Sequence, residues 1–314
     1  MNTKRRGEER GLQTYSCNDC NKRFRNKRRE KTVLKKELWK EYVFEKQTLR
    51  ELNTKHGKGR LQLKEQLDSY RAPEKTHWPR KINLVADALY FGDRKEKTSW
   101  CAIAFRDPKR KENLWWNFYT TETTSAYADG REYLESLGYE ILSLTGDGFG
   151  GLRSAFPGIS FQMCHVHMER IVIEGTTRKP ILEAGKALLA LVRTLHQGIS
   201  REQFTAYLDK YFVKFGAFLI EETISPTTGE KFFTHDPLRK AALSLQKFLP
   251  YLFTYKANKN ISRTTNSLEG HFSHIRDIVG VHRGLQRPQM ERVLNSIFLA
   301  STIAPTTRKL KHIL

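Results

Sequence analysis

The chain has 314 residues with 55 Lys and Arg against 34 Asp and Glu, a formal charge of +21. So strong a field gathers polyanions before any specific contact forms, which favours nucleic acid as the partner, with ribosomal or membrane-surface binding meeting the same charge. The polar opening MNTKRRGEER is no secretory signal, no apolar run nears the ~18 residues of a membrane span, and the chain reads as soluble and intracellular, with no membrane partner.

Residues 11–31 read GLQTYSCNDCNKRFRNKRREK, with Cys17 and Cys20 in a C-x-x-C turn ahead of a basic run. In a chain this size four cysteines do not make a disulfide framework, and this spacing points to metal or redox use. Two thiolates supply half of a tetrahedral zinc site. Either the other ligands come from elsewhere, or the chain begins late, or this half-ribbon holds no zinc. Arg23, Arg25, Lys27, Arg28 and Arg29 are dense enough to contact phosphate rather than only face solvent. From residue 32 to 70 apolar residues recur three to four apart (Leu34, Leu38, Trp39, Tyr42, Val43; Leu49, Leu52; Leu63, Leu67, Tyr70), with Gly57 and Gly59 breaking the pattern. Three helices with a tight turn before the last suit a helix-turn-helix, with Arg60 and Lys64 on the DNA-facing helix. Residues 71–79, with two prolines, form a linker.

The body begins at residue 80. Residues 82–86 form a buried strand running into Asp87, residues 99–105 and 114–119 two further strands of a meander, and residues 125–137 a helix. A strand at 140–144 leads to Asp147 between two glycines, a short helix follows at 152–156, and a strand at 159–164 ends in Cys164, His165 and His167. Asp147 is either a ligand at a strand's carboxyl end or a turn and cap residue. The order matches a ribonuclease-H-like mixed α/β sheet with helices on its faces, and sets Asp87 and Asp147 near the ends of neighbouring strands. Residues 181–196, 204–218 and 238–249 show helical spacing, so 174–261 reads as an all-helical insertion whose aromatic stripe is its own core. A helix over 262–277 buries Leu268, Phe272 and Ile275 and puts Glu269 about 100° round from Leu268, at the edge of that face. Three carboxylates on one body can bind two divalent cations ~4 Å apart, and their hard oxygens suit Mg²⁺.

VADALYFG with Asp87, LTGDGFGGL with Asp147, QMCHVH with Cys164 and His167, the helical insertion, and RTTNSLEGHFSHIR with Glu269 together resemble the prokaryotic insertion-sequence DDE transposases related to the Mutator-like group. The resemblance covers residues 80 to about 300; residues 11–70 resemble the family's zinc ribbon and helix-turn-helix with the first ribbon knuckle absent. It implies a basic arm with a partial ribbon (1–31), a helix-turn-helix (32–72), a catalytic body in two parts (80–173 and 262–314) split by the insertion (174–261), and a C-terminal helix. It implies Asp87, Asp147 and Glu269 as ligands of two Mg²⁺ or Mn²⁺. Cys164 and His167 match the C-x-x-H pair beside the active site; a zinc on this pair has two ligands in view and is not expected. Arg263, Arg276, His282 and Arg283 would hold DNA backbone, or form a solvated helix face; His165, His271 and His274 would contact phosphate or serve packing.

The implied activity is metal-dependent cleavage at terminal inverted repeats followed by strand transfer into target double-stranded DNA. It implies a homo-oligomeric synaptic complex in a prokaryotic cytoplasm, associated with the nucleoid. Two alternatives stand beside it: a silent or truncated relative that only binds DNA, and a ribonuclease-H-like nuclease or resolvase using the same acids.

Overall fold

The computed structural model describes residues 2–9, 12–25, 31–93, 95, 97–282 and 284–303. The described chain divides into two compact units, one within Met1–Arg71 and Val281–Gly284, the other within Ala72–Gly280 and Leu285–Ile313. Among the described residues no helix is long and apolar enough to cross a membrane.

The first unit opens with β1 (Thr3–Glu9), β2 (Leu12–Cys17) and β3 (Arg23–Arg25), an antiparallel sheet in that order. Nothing in the polar opening MNTKRRGEER announces β1. It is held by ladder bonds, by Arg6 Nε donating to the buried Ser16 hydroxyl at 3.0 Å, and by Tyr15 stacked on Phe24 across the neighbouring pair. Helices α1 (Lys31–Val43), α2 (Leu49–His56) and α3 (Arg60–Asp68) bury Leu38, Trp39, Tyr42, Val43, Leu52, Leu63 and Leu67 between them. A capping box starts α2: the Thr48 side chain accepts from Glu51 N and Glu51 returns a bond to Thr48 N. Gly57 ends α2 at φ +61°, a left-handed cap that costs glycine little, and the chain turns directly into α3.

The second unit is built on a five-stranded sheet. Its strands are β4 (Lys81–Phe91), β5 (Trp100–Asp107), β6 (Glu112–Tyr119), β7 (Glu140–Gly146) and β8 (Ser160–Met163), in the order β6-β5-β4-β7-β8. The first three form an antiparallel meander; β7 and β8 join in parallel. This mixed order agrees with the ribonuclease-H-like arrangement expected from the sequence. Helix α4 (Thr124–Ser136) crosses from β6 to β7, the short α5 (Gly150–Ser154) from β7 to β8, and α6 (His165–Thr176) leaves β8. All eight residues of β5 are buried, as befits a strand with neighbours on both sides and helices over it.

The insertion holds α7 (Glu183–Arg193), α8 (Arg201–Leu219) and α9 (Asp236–Phe248), and is not all-helical. A hairpin of β9 (Glu222–Ile224) and β10 (Lys231–Phe233) stands between α8 and α9. Three-residue strands are too short to show a period; the polar stretch 225–230 that reads as a connection is the hairpin's loop. Leu188, Phe204, Leu208, Leu245 and Phe253 belong to the same buried cluster as Ile103, Phe105 and Leu144 of the sheet, so insertion and sheet share one core. Behind the insertion, the Gln162 side chain bonds Leu252 O and Tyr255 N, and Thr254 Oγ1 donates to Phe161 O, so β8 is covered by chain rather than left as an open edge.

Two helices close the unit, α10 (Asn266–Val281) and α11 (Arg287–Ile303). The fully buried Asn113 of β6 joins both: its amide donates to Phe298 O at 3.1 Å and meets His271 Nε2 at 3.0 Å, while its carbonyl accepts from the buried Arg106. Burial, then the Arg106 charge, pushes the His271 pKa down to about 3, which keeps its ring neutral and its Nε2 an acceptor. The helix expected from residue 262 starts four residues later because Ser262 and Thr264 bond local backbone instead: Ser262 Oγ donates to Thr264 O at 2.6 Å.

Gly175 shows how tightly the insertion docks. A Cβ there would stand 2.6 Å from both Pro237 O and Ala241 Cβ of α9, and neither can move without the helix. We expect Gly175→Ala to destabilise the full chain by about 1–3 kcal/mol, read as a lower denaturant midpoint with unchanged slope.

Candidate active site

β4 and β7 pair in parallel from Lys81↔Glu140 to Val85↔Thr145. Past that point β7 ends at Gly146, while β4 runs on against β5 with Asp87 opposite Ala104. Asp87 therefore lies within a strand that continues to Phe91, not at its end; it stands beyond the last parallel pair, as Asp147 does, where two neighbouring strands part. Such a crevice is where ligands collect in α/β sheets. Asp147 Oδ1 accepts from Phe149 N at 2.9 Å, so this residue does start the turn into α5. A carboxylate has lone pairs for both a turn and a ligand.

Glu269 is about 120 positions further on and arrives by an irregular strap of chain. Thr145 Oγ1 in β7 donates to Ser262 O at 2.8 Å, and His165 N at the start of α6 donates to Arg263 O at 3.1 Å. Cys164 N donates to Gly146 O at 2.8 Å, fixing the start of α6 beside the end of β7. The strap thus delivers the first turn of α10, with Glu269, to the ends of β7 and β8.

The acids sense one another. The half-buried Asp87 has its pKa pushed up to about 7, first by burial, then by the charges of Asp147, Glu269 and Glu122, against the Ala88 N–H, which donates to its Oδ1 at 2.9 Å and lowers it. Their ligand atoms do not crowd as closely as the one group within 4.8 Å found among the described residues, Cys164, His167 and Glu269. Two ions ~4 Å apart with bonds of ~2 Å leave outer ligands up to ~8 Å from one another, so three acids serving two ions need not touch. The donor chemistry fits: hard oxygens only, with accumulated negative charge that a divalent cation would relieve.

Glu122, Thr265 and Arg170 are parts of this site that the sequence did not disclose. Glu122 precedes the N-cap Thr123 of α4, and its carboxylate accepts from Tyr90 OH at 2.7 Å and from Tyr127 OH. It is a fourth acid acting on Asp87. Thr265 is fully buried, and its hydroxyl bonds Glu269 Oε1 at 3.1 Å and approaches Cys164 Sγ and His167 Nδ1 at 3.3 Å each. Arg170 Nη2 stands 3.8 Å from Glu269 Oε1. No local pattern marks them; only the packing of α4, α6 and α10 does.

The remaining residues fall as follows. Cys164 is buried at the N-cap of α6, and burial pushes its thiol up, opposed by its contacts with Thr265 and with nearby backbone N–H groups. Burial pushes His167 down, opposed by Asp147 and Glu269. The buried His165 donates to Leu252 O at 2.7 Å and has its pKa pushed by burial to about 4, a packing role rather than a phosphate contact; His282 is buried as well. Arg263 is exposed with its guanidinium 5.6 Å from the Tyr255 ring centre; Arg276 is exposed on α10 in line with Glu269 and Ser273, at spacings of four and three. Arg60 and Lys64 are exposed on α3, and Arg23 on β3. Lys27, Arg28, Arg29 and Arg283 lie outside the described residues, as does the Arg25 side chain. Cys17 ends β2 and Cys20 is exposed in the following turn; backbone N–H groups of Asp19 and Cys20 lower the Cys17 thiol pKa. Asp19 Oδ2 accepts from Cys17 Sγ at 3.8 Å, but among the described residues this pair belongs to no group of three ligand atoms all within 4.8 Å of one another.

No family model and no curated protein matches the chain. Among solved structures, a chain in the simian T-cell lymphotropic virus intasome in complex with PP2A regulatory subunit B56 gamma is similar at 13% identity and a TM-score of 0.21, over 66% of this chain and 68% of that one.

Asp87 yields a pH test. Its carboxyl pKa is higher folded than unfolded, so the folded state holds the proton more tightly and loses stability as pH rises from about 4 to about 7. In metal-free buffer Asp87→Asn should raise stability at pH 8 by on the order of 1–2 kcal/mol after solvent screening. The gain should vanish near pH 4; thermal unfolding at both pH values measures it.

Proposed function

We propose that the chain is a DNA strand transferase of the transposase kind, cutting and rejoining phosphodiester bonds with divalent metal ions. The observation that carries this reading is the meeting of Asp87 and Asp147, where β4 and β7 part, with Glu269 strapped to the same strand ends. The +21 charge and the exposed Arg60, Lys64, Arg263 and Arg276 support double-stranded DNA as substrate.

Asp87, Asp147 and Glu269 would hold Mg²⁺ or Mn²⁺, which when bound supplies a Lewis acid and a stronger water nucleophile at neutral pH. Around that pair of ions the protein's own groups position and exclude. The Asp147 turn fixes one carboxylate by its bond to Phe149 N. The Ala88 N–H orients Asp87, and α10 sets the partly buried Glu269 in line with the exposed Ser273 and Arg276, a strip against which a phosphate backbone can lie. A single site of this kind serves cleavage and the later attack by the freed 3′-hydroxyl, since both are in-line displacements at phosphorus. The helical part of the first unit would recognise the element's ends through α3, and two ends require at least two copies of the chain. The incomplete Cys17 and Cys20 pair would hold zinc only with ligands from elsewhere.

The test is cleavage and strand transfer by the purified chain on a duplex carrying the ends that flank its own gene, with Mg²⁺ or Mn²⁺. Nicking and joined product are expected, with losses of about 10²-fold or more in Asp87→Ala, Asp147→Ala and Glu269→Ala and duplex binding retained. Binding without cleavage would reduce the protein to a DNA binder, and cutting of branched or hybrid substrates without joining would make it a nuclease.

A further inference from the structure

The reading above gives Cys164 and His167 no metal to hold, although His167 Nδ1 stands 3.7 Å from Glu269 Oε1, and both point at one buried atom. The Thr265 side chain is fully buried and belongs to the strap, four residues before Glu269. Its hydroxyl lies 3.3 Å from Cys164 Sγ, 3.3 Å from His167 Nδ1 and 3.1 Å from Glu269 Oε1, and its backbone N–H donates to Cys164 Sγ at 3.3 Å. We infer that the Thr265 hydroxyl is the positioning group of Glu269, carrying the hold of Cys164 and His167 to that carboxylate. The inference rests on the reading of Glu269 as the third metal-binding acid.

Proton counting sets the direction of each bond. A hydroxyl has one proton and two lone pairs. The proton goes to the carboxylate, because a bond to a charged acceptor is the stronger one. The lone pairs then accept from the Cys164 thiol and from His167 Nδ1–H, while the Cys164 sulfur accepts the Thr265 N–H. Each of the four contacts then has one donor and one acceptor, with the thiol neutral, which agrees with the upward push of burial on Cys164. Cys164, His167 and Glu269 also have the spacing of a metal centre, their ligand atoms all lying within 4.8 Å of one another. A hydroxyl already bonded to all three is what an ion there would have to displace. The knot therefore acts on the carboxylate's orientation: with Thr265 in place, one Glu269 oxygen is tied to α6 and the other is left to turn toward Asp87 and Asp147.

The test uses the full chain carrying Cys17→Ser and Cys20→Ser, so that Cys164 is the one thiol beside the strap. Mn²⁺ binding is followed by electron paramagnetic resonance. Glu269→Gln and Thr265→Val should each weaken binding about 10- to 100-fold, and Thr265→Ser, which keeps the hydroxyl, should restore it to within about threefold of the parent. Circular dichroism and duplex binding should be the same in all. Weakening by Glu269→Gln without any by Thr265→Val overturns the inference and leaves the acid site standing; no weakening by Asp87→Asn or Glu269→Gln overturns the acid site itself. Should Thr265→Val fail to fold, Co²⁺ added to the parent decides the matter. No thiolate-to-cobalt absorption band is expected; a band abolished by Cys164→Ser would make the three residues a metal centre and sink the hydroxyl's role.

Discussion

The bond from Thr145 to the Ser262 carbonyl, with that from His165 to the Arg263 carbonyl, is the constraint on which the site depends. Between the end of α6 and the start of α10 lie about 90 residues of helices and a hairpin. Closing so long an excursion costs entropy that grows only slowly with its length, so its size matters less than how its ends are held. Both ends are held by the sheet: α6 starts where β8 stops, and the returning strap hydrogen-bonds to β7 and to the first residue of α6. The shared core adds a second tie, because α9 packs on α6 at Gly175 and Phe253 joins the cluster under the sheet. The insertion is thereby part of the wall of the site.

The electrostatics of that site run against the rest of the chain. Outside, lysines and arginines dominate; inside, Asp87, Asp147, Glu269 and Glu122 share one region, and Asp87 is driven toward neutrality near pH 7. Like charges gathered in a partly buried place cost stability in the folded protein. A fold keeps such an arrangement when something of opposite charge completes it. The nearest cations of the chain are ill suited to do so permanently. Arg170 stands at 3.8 Å from Glu269 with its own side chain half exposed, and burial pushes the His167 pKa down. Divalent cations answer the need better than either, since they bring two charges and accept several hard oxygens at once.

Much of this was legible in the sequence and some was not, for definable reasons. Asp87 and Asp147 stood out because each follows a short apolar run, and the parallel pairing of β4 with β7 brings the two together. The meander and α4 followed from β-branched and aromatic runs and the stretch at 125–137. Glu122 gave no signal: it lies in the TETTS stretch among ordinary capping residues, and only the hydroxyls of Tyr90 and Tyr127 give it a direction. Thr265 lay inside a stretch expected to be helical, where a threonine means little; its importance comes from strap geometry that no periodicity encodes. β1 was hidden for the opposite reason, since its charged residues look unstructured until β2 supplies the ladder. Asp87 in mid-strand was hidden because β4 changes partners along its length, pairing with β7 in its first half and with β5 in its second.

How α10 is turned about its axis decides where Glu269 faces, and two independent contacts set that turn. Leu268, Phe272 and Ile275 are buried in the unit, which fixes the rotation to within the width of an apolar stripe. His271 narrows it further. It lies about 200° round the helix from Glu269, so the Asn113 bond that holds it on the inside holds Glu269 toward the outside. That bond needs a neutral imidazole with Nε2 as acceptor, and burial beside Arg106 enforces this form across the whole physiological pH range. Asn113 is itself spoken for on every side, by Arg106, His271 and the Phe298 carbonyl of α11. The third acid is thus aimed from behind by the buried bond between Asn113 and His271, and held in front by Thr265, so that neither its helix nor its side chain is set by the charge of the other acids.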